Sequence, residues 1–124
     1  MILHGFGDER DSRIRFRDGK LTFIVKDTTM SKFDLGQIVA TPAALEAIKD
    51  SGQTPAFFLD KHSSADWGDL DAGDKALNDQ AIVTGERLLS AYRTLKGVRL
   101  WIITEAKDDQ GRRACSTLLL PQEY

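Results

Sequence analysis

The sequence predicts an α+β fold, in which a C-terminal antiparallel three-stranded meander packs with two or three short helices and an N-terminal β-hairpin is added. Three observations carry this prediction. Two alternating apolar and basic runs flank Asp18-Gly19 near the start. Helix starts of the Thr-Pro or Asp type, closed by glycine, punctuate the middle third. Three segments rich in β-branched, aromatic and leucine residues fill the last third, separated by turn-prone stretches. The length of 124 residues suits a single core. Apolar residues at 41% and charged residues at 29% have the balance of a globular chain.

The hairpin is read from Arg13-Ile-Arg-Phe-Arg17 and Lys20-Leu-Thr-Phe-Ile-Val-Lys26. Asp-Gly between alternating runs marks a two-residue turn, because both turn positions need a positive φ. That turn sets Arg17 opposite Lys20, Phe16 opposite Leu21 and Ile14 opposite Phe23. Ile14, Phe16, Leu21, Phe23 and Val25 then form one apolar surface, and Arg13, Arg15, Arg17 and Lys20 collect on the other. A lone hairpin is marginal in water, so its apolar surface is expected to cover something. The basic stripe can meet phosphates, which makes Arg13, Arg15, Arg17 and Lys20 the candidate nucleic-acid contacts. A solvated face that protects an edge hairpin from pairing explains it as well.

Gln37-Ile-Val-Ala40 reads as a short strand or extended segment. Thr41-Pro42 opens a helix to about Lys49, with Leu45 and Ile48 pointing inward. Thr54-Pro55 repeats the signal for a second helix carrying Phe58 and Leu59. Asp71 caps a third helix to about Thr84, with Leu77, Ala81 and Thr84 along its inner side and Gly85 as its stop. Strands follow over 87–94, 98–105 and 114–120. A four-residue loop over Thr94–Gly97 puts Leu89, Ala91, Val98, Leu100 and Ile102 on one face. Leu88, Ser90, Tyr92, Arg99, Trp101 and Ile103 then share the other. Since neither face is polar, both are expected to be covered, one by helices and the other by the hairpin or a second subunit.

Several blocks recur elsewhere in the same order: Leu35-Gly-Gln-Ile-Val-Ala-Thr-Pro-Ala-Ala-Leu-Glu46, Asp66-Trp-Gly-Asp69, Tyr92-Arg93, Leu100-Trp-Ile-Ile-Thr-Glu105 and Leu119-Leu-Pro-Gln-Glu-Tyr124. Residues 30–124 thereby resemble a family of short plasmid-related proteins of bacterial plasmids, phages and integrated mobile elements. The resemblance implies a mobile-element or defence-related setting and no established activity. The chain departs from the family where Glu105-Ala-Lys-Asp leads into an inserted Asp-Gln-Gly-Arg-Arg turn in place of Glu-Ala-Asp-Arg, so no role is carried over for that Asp-Arg pair. Met30-Ser-Lys reads as a natural start. Residues 1–29 are accordingly expected to be an N-terminal hairpin extension, and residues 30–124 a single α+β domain.

Chemistry-bearing residues are sparse. His62, Asp66 and Glu105 are the set able to do acid–base chemistry, and would be the catalytic residues of a small hydrolase or nuclease. Against this, His62 suits a helix C-terminus and Asp66 a turn, and neither nucleophile nor donor cradle accompanies them. Asp66, Asp69, Asp71 and Asp74 lack the spacing of a calcium loop. One cysteine and two histidines make no zinc set, so neither metal nor cofactor is expected. Tyr92, Arg99 and Trp101, with Trp67, have the composition of an interface anchor.

The leading expectation is therefore a non-catalytic interaction module, binding a protein partner or its own copy and modulating a host defence or DNA-processing system. The alternatives are the hydrolase and a nucleic-acid-binding regulator using the basic hairpin. A net charge of −2 is too small to suggest either a global nucleic-acid binder or an acidic DNA mimic. A single cysteine, no apolar run of about 20 residues and no signal-peptide pattern at the start predict a cytoplasmic protein with no membrane partner.

Overall fold

The computed structural model describes residues 31–124, together with the backbone of two earlier strands. Its order is β1 (Arg13–Arg17), β2 (Lys20–Ile24), β3 (Gln37–Ala40), α1 (Pro42–Asp50), α2 (Pro55–Ser63), α3 (Ala72–Thr84), β4 (Leu88–Arg93), β5 (Arg99–Thr104) and β6 (Cys115–Leu119), closed by a 3-10 turn over Pro121–Glu123. The described strands form one mixed sheet in the order β1-β2-β3-β6-β5-β4.

Each helix begins where local capping chemistry predicts. Thr41 Oγ1 accepts from Ala44 N at 3.1 Å and Pro42 occupies the first turn. Thr54 Oγ1 does the same for Phe57 N at 3.3 Å, and Asp71 Oδ1 for Asp74 N at 2.8 Å. These bonds satisfy amides that the helices cannot pair internally. Gly85, at φ 90°, ends α3 with its amide on the Ala81 carbonyl at 2.8 Å. A left-handed terminal residue of this kind strongly favours glycine.

The strands depart from the expected arrangement in two ways. The hairpin pairs Phe16 with Leu21 and Ile14 with Phe23, as the Asp18-Gly19 spacing predicts, although the turn itself lies outside the described residues. It does not cover a sheet face. Instead β2 pairs antiparallel with β3, so the hairpin extends the sheet sideways. Nor is the sheet a simple meander, because β3 runs parallel to β6 with Val39 opposite Thr117. Helices α1, α2 and α3 lie between those two strands in sequence, which gives the long crossover that parallel pairing requires.

The second departure is one of register. β4 and β5 pair with Arg93 opposite Arg99, not opposite Val98. Thr94 N donates to Val98 O at 2.9 Å, and Gly97, at φ 85°, donates to Thr94 O at 2.8 Å. Thr94 and Val98 thus close a three-residue loop with glycine in its left-handed position, a common hairpin connection. One residue less in the loop turns β5 over relative to β4. Leu88, Ser90 and Tyr92 share a face with Leu100, Ile102 and Thr104. Leu89, Ala91 and Arg93 share the other with Arg99, Trp101 and Ile103.

The core lies between the first of these faces and the helices. Ala44, Leu45 and Ile48 of α1 and Phe58 and Leu59 of α2 pack with Ile38, Ala40, Tyr92, Leu100, Ile102 and Leu118. A smaller cluster joins Trp67, Ala81 and Leu88, with Phe33, Ala65, Leu70 and Ile82 packed against it. α3 is oriented differently from the sequence expectation: Leu77 is 63% exposed, Thr84 is exposed, and Asn78 and Ala81 face inward. The reason is a polar dock. Asn78 Nδ2 donates to Leu89 O at 2.6 Å and its Oδ1 accepts from Leu89 N at 3.2 Å. This paired bond turns the helix so that Leu77 points outward.

The same edge of β4 is occupied further along by the Trp67–Asp69 segment. Ala91 N donates to Trp67 O at 3.1 Å and Asp69 N to Ala91 O at 2.7 Å. Gly68, at φ 76°, lets that backbone come close, and an added methyl would run into the Ala91 carbonyl oxygen. Gly68→Ala is therefore expected to destabilise the protein by about 2 kcal/mol or more, from backbone strain and overpacking together. Thermal unfolding of the variant at neutral pH checks this, and an unchanged midpoint would contradict it.

Candidate functional site

The candidate acid–base residues are separated by burial. His62 lies in the last turn of α2 and is fully buried. Its Nδ1 is 2.5 Å from Ser90 Oγ and its Nε2 is 2.8 Å from Thr104 Oγ1. Thr104 Oγ1 lies 2.6 Å from Ser116 Oγ, which in turn donates to the Leu35 carbonyl at 2.7 Å. That carbonyl can only accept, so the polarity of the whole chain follows. Ser116 spends its proton on Leu35, Thr104 donates to Ser116, and His62 Nε2–H donates to Thr104. Nδ1 is left to accept from Ser90.

The imidazole is thus neutral, with both nitrogens occupied by the protein's own groups. Burial, and after it the nearby Arg113 charge, pull its pKa down to about 3. Asp66 is exposed. It pairs with Lys61 at 3.3 Å and accepts from Gly68 N at 3.2 Å. Glu105 is also exposed, and its backbone rather than its carboxylate is engaged, through Arg113 and Cys115. Neither carboxylate reaches the imidazole, so the three do not assemble into an acid–base set. Among the described residues no group of His, Cys, Asp and Glu is arranged to hold a metal ion.

The expected interface cluster is also divided. Tyr92 is buried on the helix side, where its hydroxyl donates to Asp66 O at 2.6 Å. Burial pushes its pKa up, and the Asp66 charge adds to the shift. Trp67 is buried too, stacked on Phe33 at 6.0 Å with its Nε1 donating to Asp79 Oδ1 at 2.9 Å. Both aromatics serve the interior. The one-residue shift in the β4–β5 loop is what removes Tyr92 from the company of Arg99 and Trp101.

Arg99 and Trp101 remain together on the face away from the helices, and the structure adds residues that sequence reasoning missed. Trp101 is half-buried and meets the Tyr124 ring edge-on at 5.7 Å. Tyr124 is 65% exposed, and the Arg87 guanidinium lies over its ring at 5.5 Å. Arg93, opposite Arg99, is exposed and only loosely paired with Asp69 at 3.7 Å. Arg87, Arg93, Arg99, Trp101 and Tyr124 thus make an outward-facing group of guanidinium and aromatic side chains. The odd numbers of Arg87, Arg93, Arg99 and Trp101 are a signal for a shared face only once the loop length is known.

Arg13, Arg15, Arg17 and Lys20 keep the backbone register predicted for them. No described helix is long and apolar enough to cross a membrane. No family model matches this chain, and no curated protein or solved structure matches it.

Proposed function

We propose that this chain is a non-catalytic interaction module, set in a mobile genetic element as its resemblance to plasmid-related proteins implies, that works by occluding an acidic surface of a host or element-encoded partner. The observation that carries this reading is the group of exposed Arg87, Arg99 and Tyr124 around half-buried Trp101, on the side of the sheet away from α1 and α2. Arginine and large aromatics are the side chains that anchor binding surfaces, each capable of contributing about 2 kcal/mol or more. His62, the group an enzyme would need, is saturated inside the fold.

Arg99→Glu should reduce capture of the partner from host lysate at least tenfold, whereas Lys75→Glu, on exposed α3, should leave it unchanged. Bound protein and nucleic acid are both quantified, after circular dichroism establishes that each variant is folded. Capture unaffected by Arg99→Glu but abolished by a folded His62→Gln would sink the binding reading and return the hydrolase to consideration.

A further inference from the structure

An edge strand carries backbone groups with no neighbouring strand to pair with, and β4 is one end of the described sheet. Along a strand the amide and carbonyl of every second residue point to the same side. On the outer side of β4 these residues are Leu89, Ala91 and Arg93. Leu89 is closed off by the Asn78 carboxamide, which bonds both its N–H and its carbonyl. Ala91 is closed off by the backbone of Trp67 and Asp69. Arg93 comes next, and among the described residues nothing bonds its amide or its carbonyl across that edge. The protein's own groups thus cover the edge at two positions and leave it open at the third.

The open position is also basic. Arg93 stands opposite Arg99. Because Leu89 and Ala91 direct their backbone groups away from β5, Arg93 and Arg99 form a non-hydrogen-bonded pair, the closer antiparallel spacing, with about 4.5 Å between Cα atoms. Like charges directly opposite each other are destabilising. Lys96, in the loop between them, adds a third cation, and all three residues are exposed. The carboxylate paired with this group is Asp69, whose Oδ2 lies 3.7 Å from Arg93 Nε. Further along the same face Ile103, Thr117 and Leu119 are buried, so the accessible ground beside Arg93 and Arg99 ends at half-buried Trp101.

From this placement we infer that the open end of β4 takes an extended acidic segment of a partner protein, which adds its backbone to the edge at Arg93 and sets carboxylates against Arg93 and Arg99. The inference rests on the interaction-module reading and names the form of the partner, a strand rather than a folded acidic surface. A peptide unit matches the site because it brings a donor for the Arg93 carbonyl and an acceptor for its amide, whereas the phosphates of a nucleic acid bring acceptors only. Strand addition draws affinity from main-chain bonds and selects partners by their alternate side chains. Alternate residues of a strand share a face, so an acidic residue at every second position suits the two guanidiniums. The protein already contains the arrangement once. Ala91 N donates to Trp67 O at 3.1 Å, Asp69 N donates to Ala91 O at 2.7 Å, and the Asp69 carboxylate reaches towards Arg93. The partner segment repeats at Arg93 what Trp67–Asp69 does at Ala91.

The test is fluorescence anisotropy of the full chain with a labelled peptide of alternating Glu and Thr, about nine residues long, beside the same peptide N-methylated along its length. Methylation keeps every charge and removes the backbone donors. The unmodified peptide is expected to bind at least tenfold more tightly than the methylated one and to slow hydrogen exchange of the Arg93 amide, read by NMR. Arg93→Glu and Arg99→Glu should each weaken binding at least tenfold and Lys75→Glu should leave it unchanged, with circular dichroism establishing that each variant is folded. Equal binding of the two peptides, or an Arg93 amide whose exchange the bound peptide does not slow, would overturn the strand inference. Arg99-dependent binding would in that case leave the interaction-module reading in place. No peptide binding at about 1 mM overturns the inference as well. A single-stranded oligonucleotide is the second probe. If it binds through Arg93 and Arg99 while the peptide does not, the site belongs to nucleic acid instead. If neither binds and capture from host lysate also ignores Arg99→Glu, the interaction-module reading falls with the inference.

Discussion

Replacing Arg113 with alanine is expected to cost about 3 kcal/mol or more of stability, among the largest effects available from one side chain of this protein. Arg113 is 3% exposed, and its hydrogen-bond partners among the described residues are carbonyl oxygens. Its Nη1 donates to Glu86 O at 2.8 Å and Glu105 O at 2.9 Å, and its Nη2 to Ala81 O at 3.1 Å. Those carbonyls belong to the last turn of α3, the approach to β4 and the exit from β5. The guanidinium also sits over the Phe33 ring at 5.9 Å. Burial lowers its pKa, while the Asp34 charge opposes that shift.

Among the described residues no carboxylate is bonded to Arg113, and its charge is tolerable here because the carbonyls at a helix C-terminus carry partial negative charge. Alanine would strand three acceptors at once. Lysine keeps the charge but lacks the planar fork that reaches three oxygens, so Arg113→Lys should recover only part of the loss. Urea denaturation at neutral pH measures both variants. A midpoint for Arg113→Ala within error of the wild type would refute this account.

His62 should make the protein sensitive to acid in a defined window. Its pKa is 6.5 in an ordinary setting and about 3 in the fold. The unfolded chain therefore takes up this proton first as pH falls. The contribution is complete above pH 6.5 and is lost downwards, at about 1.4 kcal/mol per pH unit, until the folded form also protonates near pH 3. Carboxylates titrate in the lower part of the same range, so the comparison must be internal. His62→Gln retains a hydrogen-bonding side chain and removes the titration. Its stability is expected to be lower than wild type at pH 7.5, with the gap closing between pH 6.5 and pH 4. Parallel stability–pH curves would show that the buried chain from Ser90 to Leu35 does not hold His62 neutral.

The interior explains why such a chain exists. Ser90, Thr104 and Ser116 are all fully buried, on the sheet side that meets the helices. A hydroxyl in that position costs free energy unless it is bonded. His62 bridges β4 and β5, and Thr104 passes the connection to β6 and the Leu35 loop. Phe33, which meets His62 edge-on at 5.2 Å, Trp67 and Arg113 surround this network. His62, which suggested catalysis, is instead the residue through which α2 joins this network of three strands.

What the sequence determined by itself was everything decided within about four residues of chain. Thr41-Pro42, Thr54-Pro55 and Asp71 start the helices, and Gly85 stops one, because a cap is a bond between near neighbours. Leu45, Ile48, Phe58 and Leu59 are buried as helical spacing predicts. The pairing of Phe16 with Leu21 follows from two turn residues. Only the tertiary structure decided whatever depended on register or on distant partners. A single residue in the Thr94–Val98 loop moved Tyr92 inward and kept Trp101 outward, since side chains alternate with a period of two. Asn78 displaced Leu77 because a backbone pair on Leu89, eleven residues away, was available to it. Arg113 found its oxygens 8, 27 and 32 residues distant, a spacing no local pattern encodes.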